Sequence, residues 1–420
     1  MSRSRVAGLQ GLFGWMNLVL AVPSIYLMFG MPLVMRQHGW SGTEIGLFQL
    51  AALPALFKFL FALPVQRVRL GRGGHLVHWL WLLSLALCLL FWLIGRQNLI
   101  DDQWMLFALT FAISVAATWA DIPLNALAVQ WLPRGEQMRA GSIRSAALFL
   151  GAIVGGGVMI MVQARWGWHV PFWLMAGGVV LGCLPFVWLR AGKTPPESAD
   201  SVESSGTPGV VAAWSGFFRQ PGARQWTLML LTSFPFIGAA WLYLKPLMLD
   251  QGMPLERVAF IVGILGGITG ALFSLIGGRL VPVLGTARAI SLYLLAALGS
   301  LVLLTVTIWL ELGVPMLIVA AMYLAASMGA VSALMFGLTY FFTRRQQNAA
   351  DYGLQTTLFT LARMAVPVGA GALLDALGAP GMLIGLTLGV VVAFWLGLRV
   401  RARIEDSAQA LLAGEGADSR

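Results

Sequence analysis

Three charged side chains lie inside long apolar runs of the sequence. Lys58 is in LPALFKFLFALP, Asp121 is in AATWADIPLNALAV, and Arg363 directly follows TLFTLA. A lysine or aspartate at the centre of a membrane helix costs about 2.5 to 3.5 kcal/mol on translocon-based scales, and such residues usually pair with one another or face a substrate pathway. The three residues therefore predict a transport site within a membrane.

Asp121 is the partner that the sequence offers to Lys58, because both are predicted at a similar depth from the same membrane face. Thr118, Asp121 and Asn125 share one helix face at i, i+3 and i+7 spacing. Pro123 removes a backbone donor beside that face, so backbone groups there can also line a cavity. Two hypotheses stay open: Asp121 pairs with Lys58, or it takes up and releases a proton. The structural alternatives are a snorkelling Lys58 and an Asp121 that only bonds a neighbouring helix.

Arg363 lies four residues before Pro367, which cannot donate to the Arg363 carbonyl. An arginine stays protonated, so this position suits a fixed positive site for an anionic group; the alternative is a structural salt bridge. Trp119 and Tyr26 are candidates for aromatic walls around a substrate, although packing or an interfacial belt is the more common role of such rings. Lys245 lies near the end of its span and is expected to snorkel.

The sequence offers no support for soluble-enzyme chemistry. Its four histidines, at positions 38, 75, 78 and 169, lack metal-ligand spacing, and there is no Walker loop. We therefore expect no cofactor, no metal site and no enzyme activity, and we favour a secondary carrier. A polytopic membrane enzyme acting on lipid-linked substrates is a weaker alternative, because it would require clustered acids or histidines at a membrane face.

The composition is that of a polytopic membrane protein. Of the 420 residues, 59% are hydrophobic and 10% are charged, with a mean hydropathy of +0.82, whereas soluble domains carry about 25% charged residues. The net charge of +10 does not indicate nucleic-acid binding, because Lys and Arg lie mainly between apolar runs. Apolar runs of about 20 residues, found between residues 8 and 398, predict twelve transmembrane helices in an all-α fold.

A hydrophilic connection, RAGKTPPESADSVESSGTPG, follows the sixth predicted span. We expect an N-terminal six-helix bundle over 1–190, a cytoplasmic linker over 191–224, a C-terminal six-helix bundle over 225–400 and a cytoplasmic tail over 401–420. PRGEQMRAGSIRSAALF before span 5 resembles TRRQQNAADYGLQTTLF before span 11, which indicates an internal repeat. Most of the 27 Lys and Arg residues lie in segments that are cytoplasmic if both termini are cytoplasmic, which predicts that orientation.

Two parallel six-helix repeats resemble the major facilitator fold, in which two halves rock about a midplane site. Within that superfamily the sequence resembles the muropeptide-permease-like branch, which shows Leu-Pro, Lys-Phe, Pro and Asp-Arg in span 2, and Ala-Thr, Asp-Ile and a second acid in span 4. The matching residues are Leu53, Pro54, Lys58, Phe59, Arg67, Asp121 and Ile122. Two acids of the pattern are replaced here, by Gln66 and Asn125. These two replacements argue against the acid-based proton coupling that the resemblance to this branch implies.

The neutralised acids and the turn PLVMRQHGWSGTEIG look more like the rhizobactin and pyochelin siderophore importers of bacterial inner membranes. This resemblance implies a monomeric carrier in the lipid bilayer that imports an iron–siderophore chelate by alternating access, with ferric pyochelin as the best single candidate and proton coupling left open. An anhydro-muropeptide permease for cell-wall recycling is the alternative. The residues expected to form the transport site are Lys58, Trp119, Asp121, Asn125, Arg363 and Tyr26.

Overall fold

The structure, a computed structural model, describes residues 2–71, 74–96, 98–189 and 210–418, and these ranges contain helices, turns and loops but no strand. Most of the predicted linker, residues 191–209, and the last two residues of the predicted tail lie outside them. The first ten α-helices are α1 (Arg3–Ile25), α2 (Met31–Gln37), α3 (Gly42–Phe48), α4 (Lys58–Arg67), α5 (His75–Gly95), α6 (Gln103–Trp131), α7 (Arg134–Ile153), α8 (Met159–Trp166), α9 (His169–Cys183) and α10 (Pro185–Leu189). The others are α11 (Val210–Phe218), α12 (Ala223–Thr232), α13 (Pro235–Asp250), α14 (Leu255–Val258), α15 (Gly266–Leu284), α16 (Thr286–Trp309), α17 (Val314–Phe341) and α18 (Asn348–Asp418).

Eleven helical segments of the described ranges are long and apolar enough to cross a membrane. The last of them, Arg345–Leu412, has 68 residues and turns at Gly378, where φ is 71° and ψ is −177°. Glycine adopts this positive φ without the steric cost of a side chain. The turn divides α18 into two helical parts, at the place where two separate spans are predicted. The expectation of an all-helical polytopic membrane protein is confirmed.

Five stretches within the spans of the described ranges depart from α-helical winding. Three are π-helical, at Tyr26–Gly30, Val154–Val158 and Ala259–Leu265, and two are 3₁₀-helices, at Gln49–Phe57 and Arg345–Gln347. Pro54 lies in the 3₁₀ stretch at Gln49–Phe57 and has no N–H to contribute to an α-helical ladder. Departures of this kind recur at functional or strained places in helices. The 3₁₀ stretch is also the reason that α4 begins at residue 58.

The chain forms two compact units. The first comprises Met1–Leu132, Leu150–Gly216 and Thr343–Thr357, and the second comprises Pro133–Phe149, Phe217–Phe342 and Leu358–Arg420. The two segments that resemble each other in the sequence, one before span 5 and one before span 11, are therefore each grouped mainly with helices from the opposite half of the chain. The division into bundles at 1–190 and 225–400 stays a prediction.

In the first unit, α5 and α1 each pack against α6 and α9. The π-helical stretches at Tyr26–Gly30 and Val154–Val158 also pack against each other. This contact depends on Gly155, because a Cβ placed on it would lie 2.6 Å from the carbonyl oxygen of Val22. Small residues allow membrane helices to approach this closely, and dispersion contacts between their backbones then hold them together.

The second unit is built on the packing of α15 against α17. Gly329 of α17 faces the backbone of Gly270 in α15, with no room for a side chain between them. Tyr293 of α16 donates its hydroxyl to the Gly277 carbonyl of α15 at 2.6 Å. The second unit therefore combines small-residue contacts with buried hydrogen bonds, both of which stabilise helices where no water competes.

We expect Gly155→Ala to lower the melting temperature of the detergent-solubilised protein. The added methyl would press on the carbonyl oxygen of Val22, a backbone atom that cannot rotate away, and overpacking of this kind costs about 1 to 3 kcal/mol. Gly157→Ala is the matched control, because it lies in the same π-helical stretch with open space around it. The control should melt at the wild-type temperature or slightly above it. Equal melting temperatures for the two variants would contradict the close contact at Gly155.

Candidate functional site

Lys58 is the first residue of α4 and follows the 3₁₀ stretch directly. Its Nζ lies 2.6 Å from Asp121 Oδ2 in α6, so the two residues form a hydrogen-bonded ion pair. The side chains are 14% and 15% exposed, which means that the pair is largely dehydrated and still within reach of a ligand group. The structure brings together the two residues whose pairing the sequence left open.

Asn125, one turn further along α6, supports the same carboxylate. Its Nδ2 donates to Asp121 Oδ1 at 2.8 Å and to the Asp121 carbonyl oxygen at 2.7 Å, and the side chain is fully buried. A second acid at this position would set two negative charges side by side, whereas the amide donates hydrogen bonds. The hydrogen bond from Asn125 therefore stabilises Asp121 as an anion.

A third donor to Asp121 comes from α18. Tyr352 is fully buried and donates its hydroxyl to Asp121 Oδ2 at 2.7 Å. Tyr352 could not be identified from the sequence, because 231 positions separate it from Asp121 and a tyrosine in an apolar chain is an ordinary core residue. The available signal was its place in TRRQQNAADYGLQTTLF, a polar segment that also belongs to the internal repeat.

The Asp121 carboxylate thus accepts hydrogen bonds from Lys58, Asn125 and Tyr352. Bonds to a charged acceptor are shorter and stronger than bonds between neutral groups. A buried ion pair is tolerated only when its remaining lone pairs are satisfied, and the two neutral donors meet that condition. The formal charges of Lys58 and Asp121 cancel.

Trp119 lies two residues before Asp121 in α6. Its ring centroid is 5.5 Å from that of Phe61 and 5.4 Å from that of Trp79, so it belongs to an aromatic cluster of the first unit. The residue is half-buried, and its Nε1 is buried without a hydrogen-bond partner among the described residues. These contacts are those of a packed ring, and a role in stacking on a substrate stays a prediction.

Tyr26 is held by contacts other than those of the ion pair. It is fully buried in the π-helical stretch after α1. Its hydroxyl donates to Gln163 Oε1 at 2.5 Å, and its ring meets that of Phe172 edge to face at 5.7 Å. Tyr26 therefore joins helices of the first unit through Gln163 and Phe172. Its role in the transport site stays a prediction.

Arg363 lies in α18 and belongs to the second unit. The residue is exposed. In the part of the chain that the structure describes, no acidic side chain forms an ion pair with it. One turn further, the Pro367 carbonyl accepts a hydrogen bond from Tyr243 Oη at 3.0 Å, which fixes α18 against α13.

A second buried ion pair joins Arg344 and Asp351, next to Tyr352. Asp351 is 1% exposed and accepts three hydrogen bonds from Arg344, from the backbone N at 3.0 Å, from Nε at 2.8 Å and from Nη2 at 2.7 Å. Arg344 Nη2 also donates to the Ala213 carbonyl of α11 at 3.0 Å. This pair fixes the start of α18 and the position of α11 in the first unit.

Among the described residues there is no group of three or more His, Cys, Asp or Glu side chains that could hold a metal ion. The long apolar helices of the described ranges are those of a polytopic membrane protein. The model of the Major Facilitator Superfamily matches residues 11–367. The chain belongs to the Major Facilitator Superfamily and is a secondary transporter.

Three comparisons describe what the chain is similar to. The putative transporter AmpG 4 of Rickettsia felis is 20% identical over 382 residues, which are 88% of this chain and 91% of that protein. The E. coli fucose:proton symporter FucP superposes with a TM-score of 0.70 at 16% identity, over 93% of this chain and 98% of that one. The human organic anion transporter MFSD10 superposes with a TM-score of 0.70 at 14% identity, over 94% and 100%. At these identities the two structures show the fold alone.

We expect Lys58→Ala and Asp121→Ala each to destabilise the protein by about 3 to 5 kcal/mol, because each leaves an uncompensated charge in a dehydrated place. The double variant should be no worse than either single variant, as measured by thermal unfolding in detergent. Arg139→Ala is the control: it breaks an exposed pair with Glu136, whose atoms are 3.9 Å apart, and should change stability by less than about 1 kcal/mol. Strictly additive losses at Lys58 and Asp121 would rule out their coupling.

Proposed function

We propose that the protein is a bacterial inner-membrane importer of an anionic iron–siderophore chelate, with ferric pyochelin as the first substrate to test. The observation that carries the proposal is Arg363, an exposed positive charge that forms no ion pair with an acid in the described ranges. Arginine keeps its charge at every physiological pH, and its planar donors match carboxylates. A fixed cation of this kind favours a substrate that carries negative charge.

Lys58 supports the same substrate class. Its side chain is 14% exposed, so an anionic group can approach it and compete with Asp121. If Lys58 turns to the ligand, Asp121 still accepts hydrogen bonds from Asn125 and Tyr352, which lowers the cost of the exchange. A neutral or cationic substrate carries no negative charge with which to replace Asp121 as the partner of Lys58.

Two replaced acids favour a siderophore over a cell-wall fragment. The muropeptide-permease-like pattern has acids at the positions of Gln66 and Asn125, and Asn125 here is a donor to Asp121. The relative named putative transporter AmpG 4 favours the other candidate, an anhydro-muropeptide permease.

In this proposal iron enters inside its chelate, so no residue of the chain ligates it. The carrier opens alternately to the two sides of the membrane, as transporters of this architecture do. We further propose that both termini are cytoplasmic, because Lys and Arg residues concentrate in the corresponding loops. The proposed unit of function is a monomer.

Deletion of the gene should abolish cytoplasmic accumulation of radio-iron supplied as ferric pyochelin, and the wild-type gene should restore it. Arg363→Ala should raise the KM for uptake about tenfold or more, because one charge-assisted contact is lost, and Arg363→Lys should recover part of that loss. Lys245→Ala is the matched control: Lys245 is another exposed membrane cation, and it should leave uptake unchanged. Accumulation at the normal rate in the deletion strain would overturn the siderophore proposal.

The same strains separate the two candidate substrates. A muropeptide permease predicts that deletion leaves iron uptake intact and abolishes the recovery of labelled anhydro-muropeptides from the periplasm. A siderophore importer predicts the opposite pattern. Expression that rises when iron is withdrawn supports the siderophore importer, and expression that ignores iron argues against it.

A further inference from the structure

Residues 343–357, from the C-terminal half of the sequence, lie in the first unit and run along α4. The two backbones are close: a Cβ placed on Gly353 would lie 2.6 Å from the Ala62 Cβ. Near the other end of the contact, the Phe59 backbone N–H donates to Thr357 Oγ1 at 3.1 Å. This segment, which we call the docked segment, is therefore packed on α4 by small residues and hydrogen bonds.

Tyr352 is the point at which the docked segment meets the ion pair. Its hydroxyl bonds the same carboxylate oxygen, Asp121 Oδ2, that Lys58 contacts. Because the acceptor is charged, the bond is stronger than a neutral one and its strength depends on the charge of Asp121. The contact between Phe59 and Thr357, in contrast, joins two neutral groups.

We propose that Tyr352 is a positioning residue that ties the docking of residues 343–357 on α4 to the charge of Asp121. When Asp121 is an anion, its hydrogen bond with Tyr352 keeps the docked segment on α4. When Asp121 is neutral or its carboxylate turns to another partner, this bond weakens and the docked segment leaves α4 more often. A carrier opens and closes helix contacts in every cycle, and this bond makes one such contact responsive to the ion pair. The proposal does not depend on which substrate is carried.

The docked state can be followed with a cysteine at position 62. Ala62 is fully buried against Gly353, and cysteine is a small hydrophobic residue. Because its sulfur adds volume to a close contact, every labelling rate is compared with that of the Ala62→Cys protein without further substitution. Cys88 and Cys183, the two native cysteines, are replaced by serine. A soluble maleimide then labels Ala62→Cys only when the segment leaves α4, so the labelling rate reports the undocked population when reclosing is fast.

We expect Tyr352→Phe to raise the labelling rate about tenfold, because it removes one charge-assisted hydrogen bond and leaves the ring in place. Asp121→Asn should raise the rate similarly, and Tyr352→Phe should add little in the Asp121→Asn background. Asp121→Glu keeps the charge, so Tyr352→Phe should retain its effect there.

Thr357→Val is the matched control, because it removes a hydrogen bond of the same contact that does not involve Asp121. Its effect on the labelling rate should be the same with Asp121 and with Asp121→Asn. An unchanged rate in Tyr352→Phe alone, or a full tenfold effect of Tyr352→Phe on top of Asp121→Asn, would overturn the proposal. Tyr352→Phe alone is enough to observe the first of these outcomes, and this substitution removes one hydroxyl while the ring keeps its packing.

Discussion

The carboxylate of Asp121 is the group on which the first unit depends. A carboxylate removed from water is costly unless a cation and further donors replace its hydration. Here Lys58 supplies the charge, and Asn125 and Tyr352 supply the remaining hydrogen bonds. These donors come from α4, α6 and α18, so one acceptor holds three helices in register. The need to satisfy this anion explains why residues from distant parts of the chain meet at one place.

Close contacts at glycines also hold the helices of each unit together. Lipid tails are as apolar as leucine, so burial of apolar surface does little to bring membrane helices together, and close packing must do so. Gly155 and Gly353 in the first unit and Gly329 in the second each face backbone or a small side chain at a distance that excludes a Cβ. Such contacts are specific in shape but carry no charge. The ion pair therefore differs from them in that its strength can change with a ligand or a proton.

Much of the fold followed from the sequence, because hydropathy and span length report directly on membrane helices. Lys58 and Asp121 were identifiable for the same reason: a charge in an apolar run is rare and expensive. Tyr352 was not, because aromatic residues are common in such chains and only the three-dimensional path of α18 brings its hydroxyl to Asp121. The partner of Tyr26, Gln163, was not predictable either, since a hydroxyl in an apolar run gives no indication of which helix it will meet. Its place in the transport site stays a prediction.

The most direct test of this account is the charge state of Asp121 in the folded protein. Infrared difference spectra of the detergent-solubilised wild type against Asp121→Asn isolate the bands of this single carboxyl group. If Asp121 is an anion bonded by Lys58, Asn125 and Tyr352, the substitution removes an ionised carboxylate band, and Lys58→Ala perturbs the same band. Loss of a protonated carboxylic acid band instead, with no response to Lys58→Ala, would contradict the ion pair as the centre of the site.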